Sequence, residues 1–124
     1  MSKDDKNTKN LNATLKALNI GNYERHLFIC TGTKCCSEQQ GKDSWHYLKR
    51  RMRELNLVDK SVFRTRVGCL RVCRDGPVGL IYPEGTWYKD LTPDHIEAVL
   101  QEHLLQGRPV AELVIAHNPL PAKP

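Results

Sequence analysis

Five cysteines fall into two short stretches of the 124-residue chain. The first is Cys30-Thr31-Gly32-Thr33-Lys34-Cys35-Cys36, and the second is Gly68-Cys69-Leu70-Arg71-Val72-Cys73-Arg74-Asp75-Gly76-Pro77. Each follows a run of strand-forming residues, Leu27-Phe28-Ile29 before the first and Val62 to Val67 before the second. Thiols gathered in loops at strand ends are placed to hold a metal rather than to fill a core. A 2Fe–2S cluster takes four thiolates, two on each iron. Cys69 and Cys73, four apart, reach one iron if their loop makes a helical turn. Cys30 and Cys35 close on the other across a loop made pliable by Gly32. Neighbouring side chains in an extended loop point opposite ways, so only one of Cys35 and Cys36 ligates. The expected set takes Cys35, giving Cys30, Cys35, Cys69 and Cys73, with Cys36 a spare thiol.

Gly32, Gly68 and Gly76 let backbone approach the cluster's sulfides and offer them N–H donors. Four thiolates on an oxidised 2Fe–2S core sum to a charge of about −2, and one electron makes this about −3. Lys34, Arg66, Arg71 and Arg74 lie near the ligands in sequence. Positive neighbours favour the more negative, reduced form, by the logic that shifts a pKa. They also attract an acidic donor or acceptor protein. The plainer alternative is a solvated basic face.

Composition limits the other readings. Nineteen basic and 14 acidic residues give a formal charge of +5. Aromatics are only 6% and no basic helix is interleaved with them, which speaks against nucleic acid. No apolar run approaches the roughly 20 residues of a membrane span. The charged start, Met1-Ser2-Lys3-Asp4-Asp5-Lys6, is not a secretory signal, so the cytoplasm is expected. There, thiols stay reduced, and an odd cysteine count also disfavours a disulfide framework. His26, His46, His95, His103 and His117 show no ligand spacing. Asp90 and Asp94 have no nucleophile beside them and read as turn and cap.

The elements that must position the thiols follow from periodicity and breakers. Residues 1–22 read as a flexible polar extension with room for a short helix from about Asn12 to Asn19, ended by Gly21-Asn22. His26 to Ile29 is a central strand. Residues 31–42 form a loop, and Asp43 or Ser44 caps a helix from about Ser44 to Asn56. Its Trp45, Leu48, Met52 and Leu55 make one face, with Lys49, Arg50 and Arg53 on the other. Val62 to Val67 completes a right-handed parallel βαβ unit. Val78 to Tyr82 and Thr86 to Leu91 form a hairpin around Pro83-Glu84-Gly85, a type I turn with a left-handed glycine. Thr92-Pro93 starts a helix that Gly107 ends. Val110 to Ala116 adds an edge strand or strap, and 118–124 is a loose tail. The result is an α/β fold, βαβ then ββα, with a four-to-five-stranded mixed sheet flanked by helices, a thioredoxin-like layout over residues 23–117. Ligands of such sheets collect beyond the carboxyl ends of the parallel strands, where both cysteine loops emerge.

The run Gly68-Cys69-x3-Cys73-x2-Gly76-Pro77-x4-Tyr82-Pro83-x-Gly85-x-Trp87-Tyr88 resembles the thioredoxin-like 2Fe–2S ferredoxins. Leu27-Phe28-Ile29-Cys30 and Gly107-x-Pro109-Val110 match as well, so the likeness covers about residues 25 to 117. It implies a thioredoxin-like fold, a 2Fe–2S cluster on four cysteines, electron transfer without substrate turnover, and commonly a homodimer. It also points to a cis peptide at Pro77, and it allows Trp87 and Tyr88 an interface role in place of packing in the sheet. Those ferredoxins place a longer stretch between their first two ligands. Cys30-x4-Cys35 is similar instead to the small cluster-bearing subunit of NADH dehydrogenase. Other readings remain: a subunit or docking module of a larger oxidoreductase, or a zinc-bound structural module on the same cysteines. A thiol–disulfide enzyme would want a Cys-x-x-Cys element, which is absent.

Overall fold

A computed structural model describes residues 3–120; residues 1–2 and 121–124, the latter most of the expected tail, lie outside the described residues. The elements run α1 (Lys3–Ala17), β1 (Arg25–Cys30), α2 (Glu38–Glu54), β2 (Val62–Val67), β3 (Gly79–Tyr82), β4 (Thr86–Tyr88), α3 (Pro93–Val99) and β5 (Val114–His117). One mixed sheet has the order β2-β1-β3-β4-β5. β1 and β2 are parallel, with Leu27 opposite Arg64 and Cys30 opposite Val67. The remaining pairs are antiparallel. No helix among the described residues is long and apolar enough to cross a membrane.

Alternation along the strands divides the sheet into two faces. Leu27, Ile29, Val62 and Ile81 join Leu48 and Met52 of α2 and Ile96 and Val99 of α3 in the main core. The opposite face carries His26, Phe28, Phe63 and Tyr82, all half-buried. His26 stacks on Phe28 with centroids 4.1 Å apart and shares a hydrogen bond of 2.7 Å with Thr65.

α2 begins at Glu38, six residues before the expected start at Ser44. A capping box closes it: the Ser37 hydroxyl accepts from the Gln40 N–H, and the Gln40 side chain accepts from the Ser37 N–H. Gly41 therefore sits inside the helix. A Cβ there would stand 2.9 Å from Thr31 Cβ, so the glycine lets the first turns of α2 lie against the first cysteine loop. α1 also exceeds its expected span of Asn12 to Asn19. No Gly or Pro precedes Gly21 to break it.

Thr92 occupies the cap position of α3, although its side chain makes no capping bond. The helix widens into a π-type turn over Leu100–Leu104, and Gly107 at φ +75° ends it, as expected. The expected strap is a single tight turn, Ala111–Leu113, leading into β5. Gly85 is left-handed at φ +67° as the hairpin requires, while the Tyr82–Pro83 bond is cis, which the turn assignment did not include.

Two polar locks hold the helices. Glu97 of α3 accepts from Arg51 Nε at 2.7 Å and Nη2 at 3.0 Å, from the Tyr47 hydroxyl at 2.8 Å and from Gln101 at 2.7 Å. These bonds, Arg51 foremost, hold its carboxyl down at about 2. The second lock is buried. The Tyr88 hydroxyl accepts from the Val110 N–H at 3.0 Å and donates to His103 Nδ1 at 2.7 Å. His103 Nε2 donates to Glu84 at 2.5 Å, and Glu84 also takes Arg25 Nε at 3.0 Å. Burial keeps His103 below the usual histidine range, hence neutral.

A carboxyl depressed in the folded state contributes stability above its unfolded pKa and loses it as pH falls toward the folded value. Glu97→Gln is expected to lower stability by about 1–2 kcal/mol at pH 7, discounted for partial solvent exposure. Urea denaturation should show this deficit narrowing as pH falls below about 4.5, the ordinary carboxylate value. A deficit constant with pH would show that packing, not the ion pair, sets the effect.

Candidate metal centre

β1 and β2 end at the same level, so the chain leaves both strands into loops that meet. The first loop folds as a turn, with the N–H groups of Cys35 and Cys36 both donating to the Gly32 carbonyl at 3.0 and 3.1 Å. It is therefore not extended, the premise on which Cys35 and Cys36 were expected to point apart. The two thiols separate all the same. Cys35 lines a cavity of about 310 Å³ with Cys30, Cys69 and Cys73, whereas Cys36 does not line it and lies with its Sγ 3.9 Å from the Gly32 carbonyl.

The second loop departs from expectation too. Cys69 to Cys73 makes no helical turn; Arg71, Cys73 and Asp75 all have positive φ, at 72°, 58° and 55°. Left-handed conformation in three non-glycine residues is costly and concentrates at functional sites. Alternating backbone of this kind turns successive N–H groups inward to form an anion-binding nest. The Arg71 N–H donates to Cys69 Sγ at 3.2 Å, and Cys69 and Cys73 bring their sulfurs to 4.0 Å.

The loops are tied together at their glycines. The Gly76 N–H donates to the Cys35 carbonyl at 3.1 Å. A Cβ on Gly76 would overlap Cys35 Sγ, and one on Gly32 would overlap the Gly68 carbonyl. The Gly76–Pro77 bond is cis. Val78, wholly buried, and half-buried Trp87 pack behind Cys30 and Cys35. Trp87 thus backs the site, while Tyr88 is buried in the core.

The thiols differ in setting. Cys30, Cys35 and Cys36 are buried, and Cys69 and Cys73 are exposed. Burial, with the Cys30 thiol beside it, pushes Cys35 up to about 12, and burial raises Cys36 as well. Contact with Cys69 raises Cys73, against the opposing charge of Lys34. The upward shifts keep Cys35, Cys36 and Cys73 as neutral thiols without a metal; a bound cation displaces the protons of its ligands. Arg66 Nε donates to the Thr31 hydroxyl at 2.7 Å, which places its charge at the rim, and Arg71 and Arg74 are exposed on the second loop.

The donor set fits an iron–sulfur group. All four expected ligands border one cavity, a backbone N–H already reaches a sulfur, and among the described residues no carboxylate lines the space. Among the described residues no three His, Cys, Asp or Glu side chains converge on a single ion position. Two pairs of thiols suit two irons better than one tetrahedral zinc. The histidines serve elsewhere, His95 on the Asp90 carbonyl and His117 beside Thr86. The sequence signal overlooked here was the nest, because non-glycine residues at 71, 73 and 75 gave no hint of positive φ.

Gly76→Ala is expected to crowd Cys35 at about 1–3 kcal/mol, typical of overpacking. Iron per purified chain should fall while far-ultraviolet circular dichroism stays unchanged. Full iron content in the variant would show that the loop contact is not needed to present Cys35.

No family model matches the chain. It is 35% identical over 100 residues to a 2Fe–2S ferredoxin of Clostridium pasteurianum, covering 76% of this chain and 98% of that protein. It is 30% identical over 105 residues to a 2Fe–2S ferredoxin of Aquifex aeolicus, covering 78% and 94%. The crystal structure of the wild-type thioredoxin-like 2Fe–2S ferredoxin from Aquifex aeolicus superposes with a TM-score of 0.68 at 25% identity, covering 76% of this chain and 98% of that one. Fold, cysteine loops and relatives converge: the chain belongs to the 2Fe–2S ferredoxin family.

Proposed function

We propose that Cys30 and Cys35 hold one iron of a 2Fe–2S cluster and Cys69 and Cys73 the other, with Cys36 outside the ligand set. The protein is an electron carrier and not an enzyme; the bound cluster accepts and releases one electron, with no bond made or broken in a substrate. The observation that carries this reading is the single cavity bordered by those four thiols and not by Cys36.

The chain's own residues set the conditions. Backbone donors such as the Arg71 N–H stabilise negative charge on sulfur, Lys34 borders the cavity, and Arg66 at Thr31 and the exposed Arg71 and Arg74 of the second loop add positive charge. Both effects favour the reduced state. Burial of Cys30 and Cys35 against Val78 and Trp87 excludes water from one side. The exposed Cys69–Cys73 side is the edge offered to a redox partner, whose surface would be acidic to match the rim. Cytoplasmic residence suits five unpaired thiols. A homodimer would cover the sheet face of His26, Phe28, Phe63 and Tyr82, half-buried aromatic residues bordered by Tyr23.

Anaerobically purified protein should be brown and contain about two irons and two sulfides per chain. Serine at Cys30, Cys35, Cys69 or Cys73 should bleach it or shift its visible spectrum, and Cys36→Ser should not. Colourless protein containing zinc would reject the carrier, and loss of colour in the Cys36 variant alone would reverse the ligand choice. Sedimentation should give a dimer at micromolar concentration that Phe28→Lys converts to a monomer; a wild-type monomer would end the dimer proposal.

A further inference from the structure

The cluster loops leave one end of β2, while the strand's outer side holds positive charge that the redox site does not use. Arg64 in the middle of β2, and Lys49 and Arg53 one turn apart on α2, line a single hollow of about 140 Å³ with Val58. Arg64 and Lys49 both lie over the Trp45 ring, 5.6 and 5.8 Å from its centroid. Among the described residues, none of the three has an acidic group within ion-pair distance. Arg64 Nε is closed off from solvent and has no hydrogen-bond partner. Burial makes the charged guanidinium less favourable, Arg53 adds to that, and only Asp59 opposes.

Three cations facing one hollow repel each other, and a buried donor without an acceptor costs free energy. A multiply charged oxyanion answers the repulsion: its charge offsets it, and its oxygens accept from the guanidinium atoms of Arg64 that line the hollow, Nε itself being shut off. Guanidinium forks match phosphate oxygens in geometry. The hollow shares Val58 and Arg64 with a larger one of about 380 Å³, walled by Trp45, Leu18, Val62 and Phe63. That second space is apolar and aromatic, apart from Asp59, whose carboxylate can accept from a hydroxyl. A phosphate with a flat ring attached fills both.

We propose that the paired hollows between α2 and β2 bind a phosphorylated ring compound of the nucleotide class, the phosphoryl group on Arg53, Arg64 and Lys49 and the ring against Trp45. This site stands apart from the cysteines. Arg64 precedes Gly68 by four residues, about 13 Å along an extended chain. Cluster binding and this site can therefore fail independently.

The test is calorimetric titration of the cluster-loaded protein at low salt, with inorganic phosphate and with adenosine 5′-monophosphate. Both should saturate one site, the nucleotide at least about tenfold more tightly because of ring stacking. Arg64→Met and, separately, the exposed Arg53→Gln should each weaken both ligands about tenfold, as loss of a charge-assisted bond does. Trp45→Leu should remove the nucleotide's advantage and leave phosphate binding in place. Lys34→Ala at the cluster rim should change neither, and the visible spectrum should be the same throughout. Absence of saturable binding overturns the proposal. So does equal affinity in the wild type and both arginine variants, or equal affinity for phosphate and nucleotide.

Discussion

The parallel register of β1 and β2, with Cys30 set opposite Val67, determines the geometry of everything above that end of the sheet. Two strands that stop level with each other release two loops into the same small volume. The Thr31 N–H then still reaches the Val67 carbonyl at 3.1 Å, and the Cys30 N–H the Val78 carbonyl at 2.8 Å. The first loop is thereby pinned on both sides before it turns. A slip of one residue would send Cys30 to the opposite face and separate it from the second loop. The core holds this register, because Leu27 and Ile29 are buried against α2 and α3 only in this pairing.

Close approach of the loops imposes its own rule on side chains. Gly32 faces the Gly68 carbonyl and Gly76 faces Cys35, so the contact is backbone against backbone at one point and backbone against thiol at the other. Neither leaves room for a Cβ. The second loop takes left-handed backbone at Arg71, Cys73 and Asp75. The conformational cost is offset where the inward N–H groups meet negative charge, as at Cys69 Sγ.

The legible part of this fold was the part written in periodicity. Short apolar runs marked β1 and β3, alternation marked β2, and Thr92-Pro93 with Gly107 bracketed the last helix. The start of α2 was hidden because Gly41 reads as a breaker, and only the contact with Thr31 explains a glycine there. Ser37 with Gln40 was a signal present in the sequence and outweighed by that glycine. The two pairs of thiols were visible from spacing alone, but the reasons offered for them were not the ones the structure uses. A turn, not an extended loop, parts Cys35 from Cys36, and a nest, not a helical turn, joins Cys69 to Cys73. The buried group of Tyr88, His103 and Glu84 had no sequence signature, since its members meet only after the hairpin and α3 pack.

Charge placement then separates the two ends of β2. At its carboxyl end, Lys34 borders the cavity and Arg66 reaches Thr31, beside thiols that would carry net negative charge once metallated, so attraction there is local. Around Arg64 the cations face each other and an indole, with Asp59 in the adjoining hollow. The cations at the two ends of β2 are therefore two patches with different surroundings rather than one uniform field. The rim patch answers to whatever the cluster presents and is partly neutralised by it. The second has no anion of its own beyond the distant pull of Asp59, which leaves Arg64 the least satisfied cation among the described residues. A protein whose redox charge is already matched at one end gains nothing for electron transfer from a half-buried arginine without an ion-pair partner at the other. The cost of holding that arginine in place is what the strand's outer side must explain.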